Sequence, residues 1–278
     1  MSVVVVGASG AVGGAVVAGL LERGVEVRAT SRTPRRLTLP PQVRTFAADL
    51  DDPPSLAPAL EGAERVFLYA DTAEPERLLA QVAAAGVRHV VLLSSSAVTH
   101  PGAADDFNGS RFLRVERAVQ DSGVAHTFLR PGGFASNAGR WSWGVRSDSA
   151  VPLPHPDAVQ VPVHDADVAD VAVLALTGDD LVGAAPVLTG PEVLTLREQV
   201  ATIGAVVGRD VRVVEQTEAE SAALLGRHVP EVWVRQIIGD WRASVGATPA
   251  VSHEYERLTG RPARTFRTWV EDHVELFR

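Results

Sequence analysis

Gly7, Gly10 and Gly13 follow the apolar run Ser2 to Val6 and open the stretch Ala11 to Glu22, whose apolar residues recur at helical spacing. That order is a strand, a tight turn and a helix start. Gly7 permits the turn, Gly10 lets a pyrophosphate approach the backbone, and Gly13 lets the helix pack closely on the strand. With Ser9, Ala11 and Val12, the turn offers backbone N–H groups at a helix start, which is phosphate-binding chemistry. The spacing alone is common; its position between a strand and a helix makes it a dinucleotide-binding signal. The end of the second strand bears on which dinucleotide is held. NAD sites place Asp or Glu there for the ribose hydroxyls. This chain has Thr30-Ser31-Arg32-Thr33-Pro34-Arg35-Arg36, with no carboxylate, and Ser31 and Arg32 suit a 2′-phosphate. NADPH/NADP is therefore expected over NADH.

The elements that position this turn alternate. Strands are expected at Ser2 to Val6, Val25 to Thr30, Val43 to Ala47, Arg65 to Tyr69, His89 to Leu93 and His126 to Leu129. Helices fall at Ala11 to Glu22, Ser55 to Leu60, Glu74 to Ala85 and Arg111 to Asp121. Such alternation predicts an α/β fold, a Rossmann-type doubly wound parallel sheet. Near-continuous apolar strands fit a sheet covered on both faces. Residues 1–150 are read as the NAD(P)-binding core. Residues 151–278 are read as the rest of that core plus a small C-terminal α+β substrate lobe, all one compact unit. Gly132 to Pro162 reads as loop with short helices. Asp167 to Leu176 and Leu196 to Val207 read as helices, Ala185 to Leu188 and Val211 to Val214 as strands, and the tail as mostly helical.

Composition excludes several chemistries. The 278 residues carry a net charge of −8, which disfavours general nucleic-acid binding. There is no cysteine, and all 26 basic residues are arginine. Thiolate zinc sites, cysteine nucleophiles, lysine Schiff bases and tyrosine–lysine reductase dyads are thus impossible. No metal site is expected, because His164, Asp165 and Asp167 lack a histidine at ligand spacing. No apolar run is long enough for a membrane helix, and the N-terminus lacks a signal peptide's basic region. A cytoplasmic protein follows, with a homodimer compatible with the fold.

Several segments together resemble the atypical short-chain dehydrogenase/reductases, NmrA-like NAD(P)H-binding branch. They are VVVVGASGAVGGAVV, SRTP, FAADLDDPPSL, VFLYA, HVVLLSSSA, VERAVQDSGVAHTFLRPGGFASN, VPVHDADVADVAVLAL, LTGPEVLTLREQVATIGAVVGRDVRVVE and LTGRPARTFRTWVEDHVELF. The resemblance covers nearly the whole chain. It implies that Asp49 and Leu50 lie against the adenine, and that Tyr69 and Ala70 flank the nicotinamide ribose. Ser94 and Ser95 match where related reductases keep an active-site serine. Pro131 to Phe134 would line the nicotinamide, and Asn137 matches the family's asparagine. The chain also departs from the pattern. Several members keep a His or Lys four residues before the glutamate matching Glu116; here that residue is Phe112.

If hydride transfer occurs, the residues need only orient an acceptor and supply a proton. Candidate polar groups at the sheet's C-terminal edge are Ser94, Ser95, Ser96, His100, Asn108, Arg111, His126 and His164, of which Ser94, Ser95, His100 and Arg111 are the catalytic candidates. Phe134, Trp141 and Trp143 form an aromatic wall suited to a flat substrate. Phe134, Asn137, Trp141, Trp143 and His164 are thus the substrate-facing candidates. Trp233, Trp241 and Trp269 either close the same cleft or build the lobe's core. The expected function is an NADPH-dependent reductase of a quinone-like or aromatic carbonyl small molecule. The alternatives are an NADP(H)-sensing regulator without turnover, or a non-redox cyclase or isomerase on the same fold.

Overall fold

The computed structural model describes every residue except Ala70 and Asp71. In chain order the elements are β1 (Ser2–Val6), α1 (Ala11–Glu22), β2 (Glu26–Ser31), β3 (Arg44–Ala47), α2 (Ala57–Leu60), β4 (Arg65–Leu68), α3 (Pro75–Ala84), β5 (His89–Leu93), α4 (Phe107–Asp121) and β6 (Ala125–Pro131). They continue with α5 (Ser142–Asp148), β7 (Ala150–Leu153), β8 (Val159–Gln160), α6 (Asp165–Thr177), β9 (Val187–Leu188), β10 (Leu194–Thr195) and α7 (Leu196–Val207). The chain ends with β11 (Arg212–Glu215), α8 (Glu218–Leu225), α9 (Glu231–Ser244), α10 (Glu254–Thr259) and α11 (Phe266–Asp272). The chain divides into two units. The first comprises Met1–Pro131, Asp165–Leu188 and Arg257–Gly260; the second comprises Gly132–His164, Thr189–Glu256 and Arg261–Arg278.

The first unit is a seven-stranded sheet in the order β3-β2-β1-β4-β5-β6-β9. Every pairing is parallel, from Val3↔Val27 and Val5↔Phe67 through Leu92↔Phe128 to Pro131↔Leu188. Alternation divides the strand residues between two faces. Val4, Val6, Val66, Leu68, Val90, Leu92 and Phe128 meet Leu56, Leu60, Leu78, Val82, Val115 and Val119 of the α2, α3 and α4 layer. The other face is covered by α1 and α6. These two approach closely enough that a β-carbon at Gly19 would stand 3.0 Å from a Val173 methyl. The strand order reverses direction between β1 and β4, the place where doubly wound sheets bind ligands.

At the opposite edge a polar cluster ties α6 to the strands. Arg65 donates through Nη1 to the carbonyls of Ala175 (3.0 Å) and Gly178 (2.6 Å), and through Nη2 to Asp179. Thr127 donates its hydroxyl to the Leu181 carbonyl, so it accepts from His89 Nε2 at 3.0 Å. That leaves His89 Nδ1 to accept from Arg65 Nη1 at 3.1 Å, which assigns the tautomer. Burial, seconded by the Arg65 charge, pushes the His89 imidazole down to about 4.

The second unit pairs β7 with β11 in parallel and β8 with β10 antiparallel. Its core gathers Trp141, Val145, Leu153, Val200, Ile203, Trp241, Phe266, Trp269 and Phe277. Thr195 with Glu198 and Thr217 with Glu220 form capping boxes that start α7 and α8. The first continuous stretch of the first unit ends at Pro131, and α6 and β9 return to complete its sheet. The loop expected over Gly132 to Pro162 contains α5, β7 and β8, strands too short and too non-locally paired to leave a periodic trace. Helix α4 starts at Phe107 rather than Arg111, because Asp106 accepts from the Gly109 N–H at 2.7 Å and caps it.

Candidate functional site

Parallel strands place all their C-terminal ends on one edge. In the first unit that edge carries Gly7 after β1, Ser31 and Arg32 at the end of β2, Asp49 and Leu50 after β3, Tyr69 after β4, Ser94 after β5 and Pro131 ending β6. The topology therefore brings these expected residues together. Ala70, expected beside Tyr69, lies outside the described residues.

The glycine turn is built as a cradle. Gly7 has φ +78°, and the Gly10 N–H donates to its carbonyl at 3.0 Å. A β-carbon at Gly13 would stand 2.2 Å from that same carbonyl oxygen, so no other residue fits without moving the turn. Tyr69 stands over Gly7, its Cβ 3.7 Å from where a Gly7 side chain would begin. Helix α1 has Gly10 as its cap, with no side-chain capping bond and no acidic residue in its first turn. By helix geometry the N–H groups of Ala11, Val12 and Gly13 lack partners inside the helix. Oriented N–H groups free of any carboxylate form a site for an anion.

Beside the turn lies a cavity of about 410 Å³, lined by Ala8, Ser9, Gly10, Gly14, Val17 and Ala18 on one side and Arg36, Leu37, Thr38, Leu39 and Pro40 on the other. Ser31 accepts from the Thr33 N–H at 3.1 Å, which folds the loop after β2. Arg32 is exposed, and Arg36 faces the cavity next to Ser9. Neither arginine meets a carboxylate among the described residues. Arg36 was indistinguishable in sequence from Arg35, since only the turn at Pro34–Arg36 decides which one points at the cavity. Asp49 accepts from the Asp51 N–H at 3.1 Å and Leu50 packs on the core. These features fit a dinucleotide with its pyrophosphate on the glycine turn and its adenosine end toward Arg32 and Arg36.

At the tip of β5 the polar groups are already engaged. Ser94 is buried and donates its hydroxyl to Glu116 Oε1 at 2.6 Å. Arg130 grips the same carboxylate in two places, Nε to Oε1 at 3.0 Å and Nη2 to Oε2 at 2.7 Å. The one hydroxyl hydrogen of Ser94 is thus committed to a buried ion pair that ties α4 to β5 and β6. Sequence reasoning missed this triad. Its signal was a glutamate beside Val115, Ala118 and Val119 on a buried helix face. Ser95 accepts from the Ala97 N–H at 3.2 Å and caps a short turn. Ser96 is half-buried in that turn, and His100 is exposed at its end. Arg111 lies with its guanidinium carbon 5.4 Å from the Phe112 ring centre. Asn108 is half-buried, with its Oδ1 enclosed and without a partner among the described residues. His126 does not reach the site: it lies in the N-terminal part of β6, at the other edge of the sheet, and stacks on Phe128.

The remaining candidates belong to the second unit. Phe134 is half-buried and bridges to Val163. Asn137 is exposed, and its carbonyl accepts from Arg140 Nε at 2.8 Å. The expected tryptophan wall separates: Trp141 is 7% exposed and packs in the core, whereas Trp143 is 68% exposed. Trp241 and Trp269 are core residues. His164 is buried and pairs with Asp272 Oδ2 at 3.3 Å. Among the described residues no helix is long and apolar enough to cross a membrane.

A family model described as NAD(P)H-binding matches residues 7–179. The chain is 42% identical over 280 residues to a (4-alkanoyl-5-oxo-2,5-dihydrofuran-3-yl)methyl phosphate reductase of Streptomyces griseus, covering 99% of both chains. It is 31% identical to an NAD(P)H azoreductase of Xenophilus azovorans, again over 99% of each. Among solved structures, the triphenylmethane reductase of Citrobacter sp. superposes with a TM-score of 0.84 at 19% identity, covering 99% of this chain and 100% of that one. The NADPH-dependent quinone oxidoreductase of Escherichia coli superposes with a TM-score of 0.81 at 22% identity, over 100% of both chains. At those identities the two structures establish the fold alone. Glycine cradle, strand order, matched model and end-to-end relatives agree: the chain belongs to the NAD(P)H-binding family.

Proposed function

We propose that the protein is an NAD(P)H-dependent reductase that uses NADPH, and that its acceptor is an electron-poor conjugated small molecule, a quinone or an unsaturated carbonyl compound. The observation that carries this reading is the state of the groups at the tip of β5. The Ser94 hydroxyl donates to Glu116, and Phe112 stands one helical turn before that glutamate. Reducing an isolated ketone creates a localised alkoxide, which needs a positioned acid. Reducing a conjugated acceptor leaves its charge on a delocalised enolate or hydroquinone anion, which water can protonate. A site with no dedicated acid among the described residues at the tip of β5 suits the second class. The two relatives are named for substrates of that kind: an acyl-substituted unsaturated lactone carrying a phosphate, and an azo compound.

Within this reading each residue has a physical task. Bound NADPH supplies the hydride. The N–H groups of Ala11, Val12 and Gly13 hold the pyrophosphate, and Arg32 and Arg36 hold the 2′-phosphate by charge-assisted hydrogen bonds. Tyr69 packs beside the glycine turn and flanks the ribose. The Ser94–Glu116–Arg130 triad holds the end of β5 rigid.

The test is NADPH consumption with menadione, with an acyl-substituted unsaturated lactone and with cyclohexanone as the unconjugated control. Turnover of the conjugated compounds without turnover of cyclohexanone is expected. Equal turnover of cyclohexanone overturns the acceptor assignment. NADPH binding with no turnover of any acceptor favours the sensor reading.

A further inference from the structure

We propose that the cavity beside the glycine turn also binds an amphiphilic phosphate monoester, its anionic head on Arg36 and its apolar tail along α1, and that this ligand competes with NADPH. The site itself stands on the first unit alone; the competition rests on the cofactor placement proposed above. The cavity of about 410 Å³ has two different ends. Ser9, Arg36 and Thr38 supply its polar groups, and none of their side chains is paired among the described residues. Elsewhere the walls are apolar or bare, with Gly14, Val17 and Ala18 on α1 facing Leu37, Leu39 and Pro40. From Gly10 to Ala18 the helix advances about 12 Å at 1.5 Å per residue. The glycine turn and Arg36 account for nucleotide phosphates at one end of that length. The stretch from Gly14 to Ala18 offers a nucleotide no polar side chain to meet.

Gly14 points the same way independently. Its neighbour Gly13 is imposed by packing, since a β-carbon there would stand 2.2 Å from the Gly7 carbonyl oxygen. At Gly14 a β-carbon would meet only the Ala8 carbonyl oxygen, at 3.5 Å, an ordinary contact. Glycine within a helix costs stability relative to alanine. Packing does not require it at this position, and its missing side chain leaves the cavity wall open. The charge selects the occupant. A guanidinium fork with two hydroxyls lining the same cavity can donate to several oxygens of one phosphate. Arg36 has no ion pair to break before it does so. An alkyl chain suits the rest of the cavity, because it covers half-buried Leu37 and Leu39 and brings no polar group that needs a partner.

The test is calorimetric binding of octyl phosphate, below its micelle-forming concentration, against ethyl phosphate and inorganic phosphate. Burying two methylenes is already worth about 10-fold in affinity, so octyl phosphate is expected to bind at least about 10-fold more tightly than ethyl phosphate. Equal affinities of the two esters overturn the apolar tail site in favour of a phosphate site only. Ala18→Leu keeps helix propensity and lays its side chain back over the Gly14 turn, into the cavity. It is expected to remove the octyl advantage while leaving ethyl phosphate unchanged. An octyl advantage that survives Ala18→Leu places the tail elsewhere and overturns the proposal. Arg36→Ala should weaken both esters, and unchanged binding would overturn the assignment of the head. Displacement of bound NADPH by octyl phosphate, followed by nicotinamide fluorescence, should be competitive; simultaneous binding overturns the shared site. Because calorimetry needs no nucleotide, a protein that binds no NADPH would overturn the cofactor reading and leave the ester result standing.

Discussion

Removing the charge of Arg32 or Arg36 tests the cofactor end of the site selectively. Both guanidinium groups are exposed, neither has a carboxylate partner among the described residues, and Arg36 lines the cavity beside Ser9 and Gly10. Nothing in the protein must be broken before they meet a phosphate, so their full interaction is available to the ligand. Hydrogen bonds to charged groups contribute about 1.5–3 kcal/mol each, which converts to roughly 10- to 150-fold in affinity. Arg32→Ala and Arg36→Ala are each expected to weaken NADPH by that factor. NADH, which lacks the 2′-phosphate, should change by less than about 2-fold. The double variant need not lose the product of the two factors, since neighbouring cations on one phosphate are not independent. The assay is a paired titration of NADPH and NADH by nicotinamide fluorescence at fixed salt. The NADPH advantage should also shrink as salt rises, because both cations are solvent-exposed. Equal losses for the two nucleotides would refute the assignment, and so would unchanged NADPH binding in both variants.

Three further outcomes follow from the geometry. Gly13→Ala places a β-carbon 2.2 Å from the Gly7 oxygen, and is expected to cost about 1–3 kcal/mol of stability and to weaken both nucleotides, read by thermal unfolding and the same titration. Glu116→Gln leaves Arg130 without its counter-charge at a carboxylate only 5% exposed, and should cost about 3–5 kcal/mol, measured as a lower denaturation midpoint. The His89 imidazole is held at about 4 in the folded protein against an ordinary 6.5, so the unfolded chain takes up the proton first as pH falls. Stability is then unaffected by this group above about pH 6.5 and declines by up to about 3 kcal/mol toward pH 4. Denaturant midpoints across that range should fall, and His89→Gln should flatten the slope.

The first unit was legible in the sequence because its signals are local. Valine runs mark buried strands, and Gly7 and Gly13 sit where backbone geometry tolerates nothing larger. The second unit was less legible because long-range packing decides it. Strands of two residues, such as Val159–Gln160, acquire their identity only from a distant partner at Leu194–Thr195. Trp141 and Trp143 have the same side chain two positions apart, yet the turn into α5 sends one into the core and the other to solvent. Among polar candidates, residue type identified Ser94 but not its commitment to Glu116, which requires α4 and β5 to be side by side. Arg36 was missed because an arginine's role depends on what fails to pair with it, and pairing is visible only in three dimensions.

Deuterium tracing addresses the central claim most directly. NADPH labelled at its transferable hydrogen would be incubated with the protein and an acyl-substituted unsaturated lactone, and the product examined by mass spectrometry and NMR. The account predicts one deuterium on the carbon conjugate to the carbonyl, with NADP⁺ formed in equal amount. A product of unchanged mass, or bound NADPH that is never consumed, would contradict it.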